Sequence, residues 1–345
     1  MNKIQYQPDE NRYDGRMQYR QCGRSGLKLP VISLGHWHNF GGDSPTDNQR
    51  QMIYTAFDLG ITHFDLANNY GPPPGSAEIN VGKILRDLPR DEIIVSSKAG
   101  YGMWAGPYGD GGSRKYLMAS LDQSLRRVGV EYFDIFYSHR FDTETPLEET
   151  IGSLHSAIEQ GKALYAGISS YSSQQTRQVQ EICERNHWHR ILIHQPNYSM
   201  FSRWIEAKLT GACSDLGIGM IVFCPLYQGL LTSKYIGAVP DHARAKYAPE
   251  FLSSEDINES TLSVIRQLSE IAQARGQTLA QMAIAWILRL PEITSVLVGA
   301  SHADQLKENC GAIEQLEFSQ DELSQIENLL GQAVLPTTHR YEGME

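Results

Sequence analysis

The sequence of 345 residues is poor in cysteine, and the cysteines that it has form no framework. They are odd in number, widely separated and without a CxxC pair: Cys22, Cys183, Cys213, Cys224 and Cys310. This spacing argues against a disulfide-stapled scaffold and against a cysteine-based zinc motif, and it is typical of reduced thiols in a cytosol. We therefore expect no disulfide and no bound metal.

Basic residues and long apolar runs are also scarce. Lys and Arg number 30 against 40 Asp and Glu, which gives a formal net charge of −10 and argues against a nucleic-acid-binding surface. The apolar runs are far shorter than the roughly 18 residues that span a bilayer, and the first 16 residues contain no signal-peptide core. We expect a cytoplasmic protein with no nucleic-acid or membrane partner.

Two further patterns are missing. The Gly-rich stretch GPYGDGG at 106–112 lacks the GxGxxG spacing of a dinucleotide fingerprint, so we interpret it as a loop over the site. No Pro/Gly/Ser-rich linker divides the chain. We predict a polar N-terminal extension at 1–16, one domain at 17–331 and a C-terminal tail at 332–345.

What the sequence does contain is a regular alternation of short apolar runs and helical segments. We predict strands at 31–35, 61–67, 93–99, 132–139, 163–169, 191–195, 220–225 and 294–300. Helices are predicted at 46–59, 76–88, 113–128, 146–160, 173–186, 203–215, 303–313 and 319–330, with two more around Gly276. Eight such units indicate an α/β fold, a single (β/α)8 TIM barrel with an N-terminal β-hairpin at 17–29 and extra C-terminal helices.

Three of the predicted strands end in an ionisable residue: Asp65, Lys98 and His139. Charges at the ends of apolar strands need partners, and the carboxyl ends of parallel barrel strands meet at one mouth. Tyr70 follows Asp65 closely enough to join them. Taken singly, Asp65 fits a turn cap, Lys98 a solvated strand end and His139 a hydrogen-bonded core residue. Together they suit proton transfer, because a lysine ammonium makes a nearby phenol more acidic.

HFDLANNYGPPPGSAE, followed by Lys98 and by YFDIFYSHR, resembles the aldo-keto reductase superfamily, and GISSYS, HQPNYSMF and SVLVGASHADQLKEN extend the resemblance. Within it, the sequence is most similar to the potassium-channel β-subunit branch and its bacterial L-glyceraldehyde 3-phosphate reductases. The resemblance implies that Asp65, Tyr70, Lys98 and His139 are catalytic. It implies NADP(H)-dependent reduction of small aldehydes, with Tyr70 as the general acid.

The resemblance also implies a cofactor site. From the residues alone, VGASHADQLKEN places a helix N-terminus, which suits phosphate, after the last strand. The implied cofactor-binding residues are Trp37, Asp65, Ser169, Gln195, Phe223, Cys224, Pro225, Leu226, Gln228, Lys234, Arg244, Gly299, Ser301, Gln305, Glu308 and Asn309. Arg244 falls where relatives bind the 2′-phosphate, which favours NADP(H) over NAD(H).

The substrate pocket is expected to involve Trp37, Tyr70, Trp104 and His139. A small aldehyde, such as L-glyceraldehyde 3-phosphate or a methylglyoxal-like carbonyl, fits the resemblance better than a steroid does. Arg114 and Lys115 either bind a substrate phosphate or begin a helix. Relatives form tetramers or larger rings, so a homo-oligomer, a tetramer or an octamer, is expected by analogy.

Three alternatives remain open. A metal-dependent barrel hydrolase would use His36, His38, Lys98, His139 and His194, but the sequence has no Asp at the end of the eighth strand. A Schiff-base aldolase would use Lys98 as the nucleophile. A non-catalytic NADPH-binding subunit of the channel β type is the third alternative, against which His139 argues because regulatory members of the family tend to carry Asn there.

Overall fold

The structure, a computed structural model, describes residues 6–235 and 257–332. A two-stranded antiparallel hairpin, β1 Tyr19–Gln21 and β2 Lys28–Pro30, precedes a closed parallel barrel. The barrel strands are β3 Ile32–Gly35, β4 His63–Asp65, β5 Ile94–Ala99, β6 Phe133–Ser138, β7 Ala163–Ser169, β8 Ile191–Gln195, β9 Gly219–Val222 and β10 Ile293–Val298. They pair in chain order, and β10 closes the ring between β9 and β3. The predicted TIM barrel is confirmed.

Helices surround this barrel. In the described ranges they are α1 Thr46–Asp58, α2 Ser76–Leu85, α3 Arg114–Val128, α4 Leu147–Glu159, α5 Ser173–Arg185, α6 Leu209–Leu216, α7 Glu259–Ala274, α8 Leu279–Leu288, α9 Ala303–Cys310 and α10 Gln320–Gln332. The helix predicted at 203–215 is wrong in its first half, where a 3₁₀ turn at Trp204–Glu206 precedes α6. The break lies at Lys208, whose φ of −147° is not helical.

The helix α3 shows how the sequence sets these elements. Its N-terminus is capped by the Ser113 hydroxyl, which accepts from the Tyr116 N–H, and it ends at Gly129, which adopts a φ of 77°. Its buried face packs close to α2, where a Cβ at Gly82 would come within 2.2 Å of a backbone oxygen of α3. A side chain at this position would push the two helices apart, so glycine fixes their close approach.

The N-terminal extension is held against the barrel in its described part, 6–16. The Tyr6 ring stacks on Tyr54 of α1 with centroids 3.8 Å apart, and the Tyr6 hydroxyl donates to Asp58 Oδ1 at 2.6 Å. Arg12 forms an ion pair with Glu92 at 2.7 Å. The polar residues of this segment therefore serve as contacts to the outer helices.

Carboxyl ends of the barrel strands converge at one mouth, where β4 and β5 bring Asp65 and Lys98 next to the residue that follows β6, His139. The opposite end is closed by the hairpin, since Cys22 and Leu29 pack with Ile135 and Ile193. Within the described ranges, no helix has the length and apolar character needed to cross a bilayer.

Candidate active site

An ion pair between Asp65 and Lys98 forms the floor of the mouth. Asp65 ends β4 and lies opposite Ser96 of β5, and Lys98 follows two residues later on the same face. The Lys98 ammonium donates to Asp65 Oδ2 and, at 2.7 Å, to the Leu66 carbonyl oxygen. The two side chains are 0% and 2% exposed, so the strand ends place an opposite pair of charges inside the barrel.

Burial and the Asp65 carboxylate shift the pKa of Lys98 in opposite directions. Removal from water lowers the pKa of Lys98, while the charge and hydrogen bond of Asp65 raise it. The first effect is the larger, so the pKa of Lys98 lies below its ordinary value. A buried cation with a lowered pKa suits a group that shares a proton with a neighbouring phenol.

The carboxylate of Asp65 has further donors on its other oxygen. Ser96 Oγ donates to Oδ1 at 2.7 Å, and Gln195 Nε2 donates to the same atom at 3.2 Å. Because Ser96 gives its proton to Asp65, it accepts from His63 Nε2 at 2.9 Å, and His63 Nδ1 then accepts from Ser33 at 3.0 Å. Burial lowers the pKa of His63 to about 4, which keeps this ring neutral near pH 7.

Sequence reasoning missed Ser96 and His63, although the sequence carried a signal for both. Side chains two apart in a strand share a face, so His63 shares a face with Asp65 and Ser96 with Lys98. Polar pairs of this kind in otherwise apolar strands predict a buried network rather than isolated charges.

The aromatic rings of the mouth lie directly over the ion pair. Lys98 Nζ is 5.1 Å from the centroid of the Tyr70 ring. The Tyr70 ring meets His139 edge to face at 5.9 Å and lies 6.2 Å from the Trp37 ring. The structure thus brings together all four residues that the sequence singles out as catalytic.

His139 is held as a neutral imidazole. Burial lowers the pKa of His139 well below its ordinary value, and the charges of Lys98 and Arg140 act in the same direction. The Tyr101 ring stands perpendicular to it with centroids 4.8 Å apart. His139 Nδ1 is buried and has no hydrogen-bond partner among the described residues. A neutral ring of this kind can donate one N–H to an incoming oxygen.

The loop after β5 supplies a wall of the mouth. Trp104 packs on Tyr116 of α3 with ring centroids 5.2 Å apart. The Tyr116 hydroxyl donates to the Tyr101 carbonyl oxygen and accepts from Asn68 Nδ2 at 2.9 Å. These contacts connect the loop to α3 and to the segment that follows β4.

Two of the predicted cofactor contacts, Ser169 and Gln195, are connected to the ion pair, and five more lie in the turn after β9. Ser169 Oγ, at the end of β7, donates to the Gln195 carbonyl oxygen at 2.7 Å, and the Gln195 side chain reaches Asp65. After β9, Gln228 Nε2 contacts Cys224 Sγ at 3.2 Å, and both residues have a positive φ, 59° and 57°. The same turn contains Phe223, Pro225 and Leu226.

The segment after β10 tests whether an adenosine phosphate fits. A Cβ built at Gly299 would meet no atom within 4 Å, so the surface above it is open. Asn309 Nδ2 is buried and has no hydrogen-bond partner in the described part of the chain. Ser301 N donates to Gln305 Oε1 at 2.8 Å, and His302 caps the first turn of α9. An open surface, an unpaired amide and a helix N-terminus are compatible with NADP(H).

The remaining predicted contacts are Glu308, Lys234 and Arg244. Glu308 belongs to α9, and Lys234 is exposed in a 3₁₀ turn at Ser233–Tyr235. Arg244 lies outside the described residues.

The geometry bears on two of the alternative chemistries. His194 Nε2 accepts from the Tyr171 N–H at 3.2 Å, and His36 Nδ1 contacts the Asp65 carbonyl oxygen at 3.1 Å. In residues 6–235 and 257–332, neither histidine belongs to a group of three potential metal ligands. Lys98 is paired with Asp65, whereas Schiff-base formation needs a neutral amine.

Comparison with known proteins agrees with the site. The family model described as Aldo/keto reductase family matches residues 31–330. The chain is 54% identical over 321 residues to L-glyceraldehyde 3-phosphate reductase of Escherichia coli (strain K12), covering 91% of this chain and 92% of that protein. It is 35% identical over 305 residues to a probable voltage-gated potassium channel subunit beta of Oryza sativa subsp. japonica, covering 86% and 92%.

Proposed function

The chain belongs to the aldo/keto reductase family, and from this premise we propose that it reduces small aldehydes to alcohols with NADPH, using Tyr70 as the general acid. The resemblance noted in the sequence is confirmed, and the chain is an oxidoreductase of that family. The observation that carries the catalytic assignment is the buried Lys98–Asp65 pair, whose ammonium lies 5.1 Å from the Tyr70 ring centroid.

In the proposed reaction, each residue of the site has a separate role in protonating the carbonyl oxygen. When bound, NADPH supplies the hydride. Tyr70 gives its phenolic proton to the carbonyl oxygen, and because a phenol ordinarily titrates near about 10, it needs a cation beside it. Lys98 is that cation, and Asp65 keeps it charged and in place. Neutral His139 donates an N–H to the same oxygen and orients the substrate.

For the cofactor, we propose the set implied by the sequence, with Ser169 and Gln195 at the nicotinamide end and the residues from Gly299 to Asn309 at the adenosine end. Preference for NADPH over NADH is assigned to Arg244, because a guanidinium binds a phosphate in a bidentate manner. Arg244→Ala is expected to weaken NADPH binding at least about tenfold while leaving NADH binding unchanged. Equal effects on the two cofactors would contradict the assignment.

We propose a phosphorylated aldehyde as the substrate because a relative that is 54% identical is named L-glyceraldehyde 3-phosphate reductase. A phosphate group needs a cation at the mouth, and Arg114 does not serve, since it begins α3 and donates to Ser156 Oγ of α4 at 2.8 Å. Arg140 is better placed. Its guanidinium carbon lies 4.7 Å from the centroid of the Tyr101 ring, which contacts His139.

The Arg140 side chain is 38% exposed and forms an ion pair with an exposed carboxylate, Asp110, at 2.9 Å, while its Nε donates to the Gly100 carbonyl oxygen at 2.7 Å. Such a pair contributes little, so a phosphate can replace Asp110 at small cost. Arg140→Met is expected to raise KM for L-glyceraldehyde 3-phosphate about tenfold or more, with no comparable change for methylglyoxal, which has no phosphate. A parallel rise for both substrates would remove Arg140 from this role.

The central test is NADPH oxidation, followed spectrophotometrically, for the wild type and Tyr70→Phe. The variant keeps the ring and loses the acid, so we expect kcat to fall by at least about a hundredfold and NADPH affinity to stay within a factor of two. An active Phe variant would refute the role of Tyr70. Tight NADPH binding without turnover of any short aldehyde by the wild type would favour the regulatory alternative, for which the potassium-channel relatives are the reason.

Assembly into a homo-oligomer, a tetramer or an octamer, is proposed from the family resemblance alone. Light scattering coupled to gel filtration measures the mass directly, and a monomer of 38.7 kDa would contradict it.

A further inference from the structure

A second group of ligating side chains lies on the outside of the barrel. His155 and Glu159 are one turn apart at the C-terminal end of α4, and His189 lies just before β8. One ligand atom of each residue lies within 4.8 Å of the other two. We propose that these three side chains bind a divalent transition-metal ion such as Zn²⁺ or Cu²⁺.

The location separates this group from the candidate active site. Helices of the barrel run antiparallel to the strands, so the end of α4 lies near the amino ends of β7 and β8. The catalytic mouth is at the carboxyl ends of the strands. A metal here would join α4 to the segment that leads into β8, and it would act on stability rather than on carbonyl chemistry.

The ligand set determines the class of metal. Two imidazoles and one carboxylate are the donors that Zn²⁺ and Cu²⁺ accept, whereas Ca²⁺ and Mg²⁺ prefer oxygen alone. In a tetrahedral zinc site with metal–nitrogen bonds of about 2.0 Å, neighbouring ligand atoms are about 3.3 Å apart. The present separations are at most 4.8 Å, so the exposed side chains of Glu159 and His189 would have to move toward His155 when the ion binds. Three protein ligands leave one position open for water.

The three side chains are already oriented toward one another. The His155 ring stacks on Trp188 with centroids 5.5 Å apart and an angle of 15°. Trp188 packs over Gly152, where a Cβ would come 2.9 Å from the indole ring, so the chain leaves room for this stack. His189 Nε2 is 2.8 Å from Glu159 Oε1, and the rings of His155 and His189 have centroids 5.2 Å apart. The backbone N–H of His189 donates to His155 Nδ1 at 3.4 Å.

A simple hydrogen bond between His189 and Glu159 is the competing explanation. Together with the contacts of His155 to Trp188 and to the His189 backbone N–H, it explains the arrangement without a metal ion. Metal binding requires all three, so single replacements of His155 and Glu159 distinguish the two explanations.

The experiment uses the full chain without an affinity tag at pH 7.5. Cu²⁺ is titrated while tryptophan fluorescence is recorded, because a copper ion next to His155 quenches the stacked indole of Trp188. We expect saturable quenching with one copper per chain, reversed by EDTA and prevented by excess Zn²⁺. His155→Gln and Glu159→Gln are each expected to raise the apparent Kd at least about tenfold.

His187→Gln is the matched control, since His187 is exposed, lies next to Trp188 and is not part of the group. This variant is expected to bind copper as the wild type does. Trp188→Phe should abolish the optical signal while calorimetry still detects one site. Wild-type quenching in His155→Gln, or loss of binding in His187→Gln, would overturn the proposal.

Discussion

The loss of folding stability at acid pH tests the electrostatics of the barrel core, and we propose to measure it with a variant of His194. It is fully buried in β8, and its Nε2 accepts from the Tyr171 N–H at 3.2 Å. Its Nδ1 lies 3.9 Å from Cys213 Sγ. Burial lowers the pKa of His194 to about 3, so this ring is neutral in the folded protein between pH 5 and pH 7.5.

The magnitude follows from proton linkage. In the unfolded chain the histidine has its ordinary pKa of 6.5, so it takes up a proton as the pH falls through that value. The folded protein does not, which means that stability present above pH 6.5 is lost on acidification. When the unfolded state binds one proton more than the folded state, the free energy of unfolding falls by about 1.4 kcal/mol for each pH unit of acidification. His194 alone therefore lowers the free energy of unfolding by about 2 kcal/mol between pH 6.5 and pH 5.

His194→Gln removes the titrating ring and keeps an oxygen that can accept from the Tyr171 N–H. Urea unfolding, followed by circular dichroism and by fluorescence at pH 7.5 and 5.0, gives the loss of stability for each protein. The variant is expected to lose about 2 kcal/mol less than the wild type over this range, whatever its stability at pH 7.5. Coincident transitions by the two probes support the two-state treatment.

The control is His187→Gln, in which the replaced histidine is exposed in the folded chain. It should lose as much stability as the wild type. His36 and His63, whose pKa values burial also lowers to about 4, continue to destabilise every variant at acid pH. Equal losses in His194→Gln and the wild type would refute the reasoning.

The remaining predictions concern packing and the ion pairs. Arg127→Met leaves the buried Glu78 carboxylate without the guanidinium that contacts it at 2.6 Å, and we expect it to cost about 3–5 kcal/mol in urea unfolding; adding Glu78→Gln should restore part of that loss. Gly82→Ala forces apart α2 and α3, and a cost of about 1–3 kcal/mol is expected in the same assay. Ser96→Ala removes a donor from Asp65, so we expect a loss of about 1.5–3 kcal/mol and a lower kcat with NADPH affinity retained. An unchanged kcat would show that this hydrogen bond does not position the ion pair.

Much of the fold was predictable because its signals are local. The strands at 163–169 and 191–195 have the predicted bounds, since apolar runs between polar turns define buried parallel strands. The meeting of Asp65 with Lys98 was predictable from elementary energetics. A charge that ends a buried strand requires a partner, and the neighbouring strand offered one.

What the sequence did not reveal depends on contacts between distant segments. Tyr6 reads as part of a polar extension, yet it stacks on Tyr54 of α1. From the sequence, Arg114 was compatible with a phosphate site, but in the structure its guanidinium donates to Gly152 and Ser156 of α4. No periodicity within either segment specifies such partners, because they are chosen by the arrangement of helices around the barrel.

The buried network around Asp65 fixes the direction of each of its hydrogen bonds. An ionised carboxylate only accepts hydrogen bonds, so Ser96 must donate, His63 must carry its proton on Nε2, and Ser33 must donate to His63 Nδ1. Ser33 then accepts from Ser295 at 2.7 Å on β10. A proton added to His63 would reverse the last two hydrogen bonds and place a charge in the core. The barrel therefore holds Asp65 in one orientation, and Lys98 in one position, before any ligand arrives.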